Sequence, residues 1–251
     1  MIWRNGNTNV ALDVIQGLRS THVFLEKEIS GSDLETILTN SVRAANASAR
    51  QSYSIIVVDK KQALKELFYG GNKALVYCVD YTRLIDTAKH LGHNYEPRGV
   101  GYFVAGVTDT ALAVQTAVIA AKSLGIDSLI TNVVHRKTAR IYELLKLPEK
   151  FCFPIVAVCL GYSTEKPAFK KGRLQNLGIV HHGEYRRLSK EELDRLVALY
   201  DDENEHLGLL PKEKWESLGF SHYLDWFYKQ WSARARDNDE LREFIAKTEF
   251  I

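Results

Sequence analysis

The run Thr108–Gly125, TDTALAVQTAVIAAKSLG, followed at once by Asp127–Thr131, decides the fold. Residues Thr108 to Leu124 are rich in alanine and apolar over most of a helical circumference, which predicts a central, buried helix. Gly125 stops it in the manner of a glycine just past a helix end. The β-branched stretch behind it predicts a strand, so a helix packs back onto a sheet here. Working outward, Ser54–Val58 and Leu75–Val79 read as two earlier buried strands, and Pro154–Leu160 as a fourth. Thr138 to Leu147 reads as a helix ended by Pro148. Toward the N-terminus, Asn9 to Leu18 carries Val10, Val14 and Leu18 on one stripe. Ser32 and Glu35 suggest a capping box for the next helix. A short helix from Asp59 breaks at Gly70-Gly71, and Tyr81 to Gly101 reads as a loop or lid. Helices thus alternate with strands, which argues for layers rather than segregated classes.

The 251 residues hold 33 Lys+Arg, 31 Asp+Glu and 3 Cys. That length carries one full domain with an appendage, or two small domains. The formal net charge of +2 provides no global field for gripping nucleic acid. Cys78, Cys152 and Cys159 lie in apolar runs without zinc spacing, so buried free thiols and a reducing, cytoplasmic setting are expected. The start MIWRNGNTNVALDVIQGL lacks the apolar core of a signal peptide. No uninterrupted apolar run of about 18 residues suggests a bilayer span, so no membrane partner is expected. After Arg173 the character changes: Ser189 and Glu192 form a capping box, and Tyr223, Trp226, Phe227 and Trp231 share a helical face. That aromatic stripe predicts packing against the body of the protein or a partner subunit.

No phosphate loop, nucleophile elbow or dinucleotide fingerprint occurs. His90 with His93, and His181 with His182, have no acidic helical companion and read as structural or surface histidines. What remains is cationic turns. Arg19-Ser20-Thr21-His22 follows the first helix and Lys170-Lys171-Gly172-Arg173 the fourth strand, each suited to a small anion or to solvent alone.

Taken in order, several segments resemble the flavin-dependent nitroreductase family. Arg19-Ser20-Thr21-His22-Val23-Phe24 is similar to the family's R-S-x-R-x-F start, and Asn46–Ser54 to its small-residue loop with a glutamine. Thr108–Gly125 resembles its D-x-A…A-A-x-x-L-G helix, Pro154–Tyr162 its proline-led strand, and Lys171–Leu174 its K-x-R-L segment. The resemblance covers roughly residues 10 to 175. It implies an α+β fold, a mixed central sheet flanked by helices. Residues 1–175 would form the FMN-binding domain and 176–251 a helical C-terminal extension. It further implies FMN held at the interface of an intertwined homodimer, with hydride passing from NAD(P)H through the flavin to nitroaromatic, quinone or flavin acceptors. No protein side chain then needs to be catalytic, because the flavin carries the bond chemistry.

The same resemblance assigns the cofactor contacts. Arg19, Ser20, Lys171 and Arg173 suit the phosphate, and Ser48 and Gln51 the ribityl chain or the ring's pyrimidine edge. Thr21, His22, Arg50, Thr131, Asn132 and Val133 complete the expected set. Leu18 stands where the family often has a basic residue. His22 replaces a second fixed cation, which would make the flavin potential pH-dependent. Asn132-Val133 replaces a glycine pair and would narrow the substrate face. Another flavin chemistry on the same scaffold, or a non-catalytic flavin-binding interaction protein, stays open at this point.

Overall fold

The structure is a computed structural model that describes residues 9–165, 168–232 and 239–251. The chain divides into two compact units, Met1–Glu165 with Asp237–Ile251, and Lys166–Arg236.

In the first unit the elements run α1 (Val10–Gln16), α2 (Gly31–Ser41), a short 3-10 turn (Ala47–Ala49), β1 (Tyr53–Val58), α3 (Lys61–Leu67), β2 (Lys73–Asp80), α4 (Thr82–His90), α5 (Val100–Ser123), β3 (Asp127–Thr131), α6 (Val133–Arg136), α7 (Thr138–Leu145) and β4 (Cys152–Gly161). The strands form one sheet in the order β1-β2-β4-β3, each neighbouring pair antiparallel. An isolated parallel bridge joins Ser20 to Ser128 outside these strands, so the four-stranded sheet itself is antiparallel rather than the mixed sheet expected. The α+β class expected from the resemblance is therefore what the chain adopts.

Period-two alternation explains why the interior of β2, Ala74 to Val79, is apolar throughout. On β2, Ala74, Val76 and Cys78 enter one core with Leu64, Phe68 and Ile141, so α3 and α7 cover that face. Leu75 and Tyr77 enter a second core with Ile37, Ala113 and Ala117, beneath α2 and α5. Both faces are buried, and a strand with two buried faces has no polar side to show.

Helix α5 begins at Val100, eight residues before the start expected at Thr108. It is long and apolar enough to cross a bilayer by length and composition alone. Its burial, however, is one-sided. Gly106, Asp109, Ala113, Ala117 and Ala121 face inward at helical spacing, while Val104 and Leu112 are exposed. The expectation of burial all round is corrected: the apolar circumference has an uncovered side. Gly106 is required by packing, since a Cβ there would stand 2.5 Å from Val79 Cγ1.

Two further readings change. Ser30, not Ser32, caps α2, accepting a hydrogen bond from the Asp33 amide at 3.0 Å. The stretch expected as a loop after Tyr81 begins with α4. Gly125 ends α5 with φ +73°, as expected. All three cysteines are free and buried. Finally α11 (Asp239–Lys247) returns to the first unit: Phe244 lies 4.6 Å from Tyr142, ring centre to ring centre, and Phe250 is fully buried.

The second unit holds α8 (Lys190–Asp201), α9 (Lys212–Ser217) and α10 (Tyr223–Trp226), continued by a wide turn at Phe227–Trp231. The Ser189–Glu192 capping box forms as expected. Trp215, Tyr223 and Trp226 are buried together, with Tyr200, Phe227 and Trp231 packed on them. The aromatic stripe thus makes this unit's own core.

Candidate functional site

Three groups of expected cofactor contacts lie in the first unit, and the sheet register fixes where each stands. Arg19–His22 forms the first, beside the start of β3. Ser20 bridges Ser128, and the Thr21 amide donates to the Ser128 carbonyl at 3.1 Å. Thr21 itself is fully buried, so its side chain faces the protein, whereas Ser20 and His22 are exposed. Arg19 Nη2 stands 3.7 Å from Asp127 Oδ2, and Lys122 Nζ stands 3.5 Å from Asp127 Oδ1. Two cations therefore flank one carboxylate, leaving a net positive charge there. The His22 amide donates to Glu165 Oε2 at 3.3 Å, and its ring meets Tyr69 edge-on.

The second group, Thr131–Val133, closes β3 and opens α6. Thr131 and Val133 are buried, Asn132 is exposed, and the Val133 amide donates to Thr131 Oγ1 at 3.3 Å. Beside it is a cavity of about 350 Å³ lined by Leu67, Tyr69 and Val133, the cations Lys65, Arg136 and Lys137, and the carboxylate of Glu66.

The third group is the loop before β1. Ser48, Ala49 and Gln51 have φ of 55°, 55° and 49°. Left-handed backbone at a residue with a Cβ costs about 1–2 kcal/mol, so the surroundings must hold this loop in shape. They do so from both ends. Buried Asp109 of α5 accepts from the Ala47 amide through Oδ1 at 2.8 Å and from the Ser52 amide through Oδ2 at 3.2 Å. Asn46 Oδ1 accepts from the Gln51 amide at 3.1 Å. Arg83 of α4 donates through Nη2 to the carbonyls of Arg50 at 3.1 Å and Gln51 at 2.7 Å.

The first and third groups sit at opposite ends of the sheet. Ser128 pairs with Leu160, which pairs with Lys73 at the start of β2, whereas Tyr53 pairs with Val79 near the end of β2. At about 3.3 Å per residue, the six residues from Lys73 to Val79 put roughly 20 Å between them. A single chain does not bring Arg19 and Gln51 together.

Lys171 and Arg173 belong to the second unit. There Lys171 Nζ donates to the Gly208 carbonyl, and Arg173 Nη1 to the Gly172 carbonyl at 2.8 Å. Burial and the neighbouring Arg173 both push the Lys171 pKa down.

In the sequence Asp109 stands out only as part of the helix motif, and nothing singles out Arg83 or Glu165. A signal for Asp109 was present: one carboxylate in an otherwise apolar helix needs partners when buried. For Arg83 there was none, since its hydrogen bonds go to backbone atoms of a distant loop.

The donor set suits a phosphorylated cofactor with a hydrogen-bonding ring: a guanidinium and hydroxyl on one segment, and a rigid loop of small polar residues on another. Comparison with known proteins agrees. Residues 15–162 match the model described as the nitroreductase family. An oxygen-insensitive NADPH nitroreductase of Salmonella typhimurium is 28% identical over 202 residues, covering 76% of this chain and 80% of that one. An NAD(P)H-dependent FMN reductase of Bacillus subtilis is 25% identical over 234 residues, covering 87% and 92%. In structure, a hypothetical oxidoreductase from Bacillus subtilis superposes with a TM-score of 0.82 over 97% of this chain and 98% of that one, at 22% identity, which speaks to fold alone. With the family match spanning more than half of its length, this chain belongs to the nitroreductase family.

Proposed function

We propose that this protein is an FMN-dependent NAD(P)H oxidoreductase that reduces nitroaromatic, quinone or flavin acceptors by a ping-pong mechanism. The family match over residues 15–162 carries the reading. When bound, FMN supplies the hydride acceptor and donor that the side chains lack. Arg19 and Ser20 hold the phosphate by charge-assisted hydrogen bonds, with Asp127 fixing the guanidinium. The Ser48–Gln51 loop presents polar groups to the ribityl chain or the ring. Thr131–Val133 would lie beside the ring, with exposed Asn132, in place of a glycine, narrowing the face open to acceptors while the Val133 side chain is turned into the core.

The proposal includes a homodimer. The roughly 20 Å between the Arg19 and Gln51 groups supports it, because two copies can supply to one cofactor what a single copy holds apart. The exposed apolar side chains of Val10, Leu12 and Ile15 on α1 and of Val104 and Leu112 on α5 support it too. Buried free thiols favour a reducing compartment, the cytoplasm.

The test is a visible spectrum of the purified protein before and after denaturation, then anaerobic NADPH or NADH, then a quinone. A yellow protein that releases FMN, bleaches with nicotinamide and recovers with quinone is expected. Failure to bind added FMN overturns the reading. Light scattering of the same sample tests the dimer; a 28.5 kDa particle would refute it.

A further inference from the structure

We propose that Asp109 and Arg83 are positioning residues for the cofactor, acting through the Asn46–Ser52 loop. The inference rests on the flavin reading. Neither side chain is assigned to touch FMN; both shape the loop that does.

The loop carries three left-handed residues with side chains, none of them glycine or asparagine, the types that adopt this backbone readily. Left to itself such a segment relaxes to ordinary backbone, and Ser48 and Gln51 then point elsewhere. Asp109 opposes that by spanning the loop. Its two carboxylate oxygens accept from Ala47 at one end and Ser52 at the other, fixing the distance between the ends. Arg83 works on the other polarity, drawing the Arg50 and Gln51 carbonyls to one nitrogen. With those carbonyls turned toward Arg83, the peptide planes on either side of Gln51 are set. Asp109 is 1% exposed and Arg83 is exposed, so one anchor is built into the core helix and the other reaches in from the surface.

The chemistry separates the two by substitution. Asp109→Asn keeps one acceptor and turns an NH2 toward the other amide, releasing one end of the loop. Arg83→Met keeps the stem and removes both donors without disturbing the core.

The experiment is FMN titration of the full-length parent, Asp109→Asn and Arg83→Met by quenching of flavin fluorescence. It is paired with the midpoint potential and visible band positions of bound flavin, and with apo-protein melting. We expect Asp109→Asn to weaken FMN roughly tenfold or more and Arg83→Met severalfold, in line with loss of charge-assisted hydrogen bonds. The bound flavin's potential or spectrum should shift in both, while the Arg83→Met apo-protein melts as the parent does. If Asp109→Asn does not fold, Arg83→Met decides alone. A variant pair that binds FMN as the parent does, with unchanged potential and spectrum, overturns the inference. So does a loss of affinity that merely follows a fall in apo-protein melting. A parent that does not bind FMN overturns the flavin reading itself, a result distinct from parent and variants binding alike.

Discussion

Arg19 and Asp127 stand 3.7 Å apart, and Asp127 keeps a second cation, Lys122, at 3.5 Å. The arginine is therefore aimed by the carboxylate but is not the carboxylate's sole partner. Arg19→Ala should weaken FMN binding by about 10- to 100-fold, the worth of a charge-assisted hydrogen bond. Melting of the apo-protein should barely move, because Asp127 remains paired. An unchanged FMN affinity would show that Arg19 does not meet the phosphate.

Ser41, Tyr77 and Ala113 form a buried relay across α2, β2 and α5. The two hydroxyls are 2.9 Å apart, and Ser41 Oγ donates to the Ala113 carbonyl at 3.0 Å. Burial pushes the Tyr77 pKa up to about 12, against the lowering effect of Ser41. Ser41→Ala should cost about 1–3 kcal/mol, since it strands a buried phenol. Adding Tyr77→Phe should recover part of that loss, and urea melts of the single and double variants measure the coupling.

His135 stacks on Phe153, and its Nε2 lies 3.2 Å from the Pro154 carbonyl. Burial lowers its pKa below 6.5, outweighing the carbonyl contact. A lowered histidine pKa means that the unfolded chain takes up the proton first as pH falls. Stability is thus fully present above about 6.5 and drains as pH drops from there toward the folded value. The urea midpoint should fall between about pH 7.5 and pH 5.5, and fall less in His135→Gln. Equal falls in parent and variant would exclude His135 as the cause.

The thiols give a fourth test. Burial pushes the Cys159 thiol up to about 12, and Cys78 is raised well above its usual value beside Cys152. Thiolate is the reactive form, so the native protein should resist Ellman's reagent at about pH 8 and all three cysteines should react in denaturant. Prompt reaction in the native state would contradict the burial.

Much of this was legible in the residues. Gly125, the Ser189–Glu192 box and all four strands could be read locally, because caps, turns and alternation are set within a few residues. The cap of α2 was misplaced by two residues since Ser30 and Ser32 offer the same hydroxyl, and only backbone geometry chooses between them. Helix α5 starts eight residues before the expected Thr108 and takes in Gly101 and Gly106. Gly106 is there for close packing on Val79, which no local pattern reveals. The aromatic stripe was expected to pack on the body of the protein or a partner subunit, whereas Tyr223 and Trp226 pack with Trp215 and Tyr200 inside their own unit, a destination that periodicity does not specify.

By itself the sequence determined the four strands, most of the helices, the buried thiols and the order of motifs that marks the family, since each depends on neighbours along the chain. Only the tertiary structure decided where those motifs stand. Antiparallel register puts Arg19 and Gln51 at opposite ends of one sheet. Burial turns Thr21 inward, and two anchors from distant helices, Asp109 and Arg83, set a strained loop that its own residues would not hold. The physical reason is that hydrogen bonds and packing are settled by proximity in space, and a chain of residues states only its proximity in order.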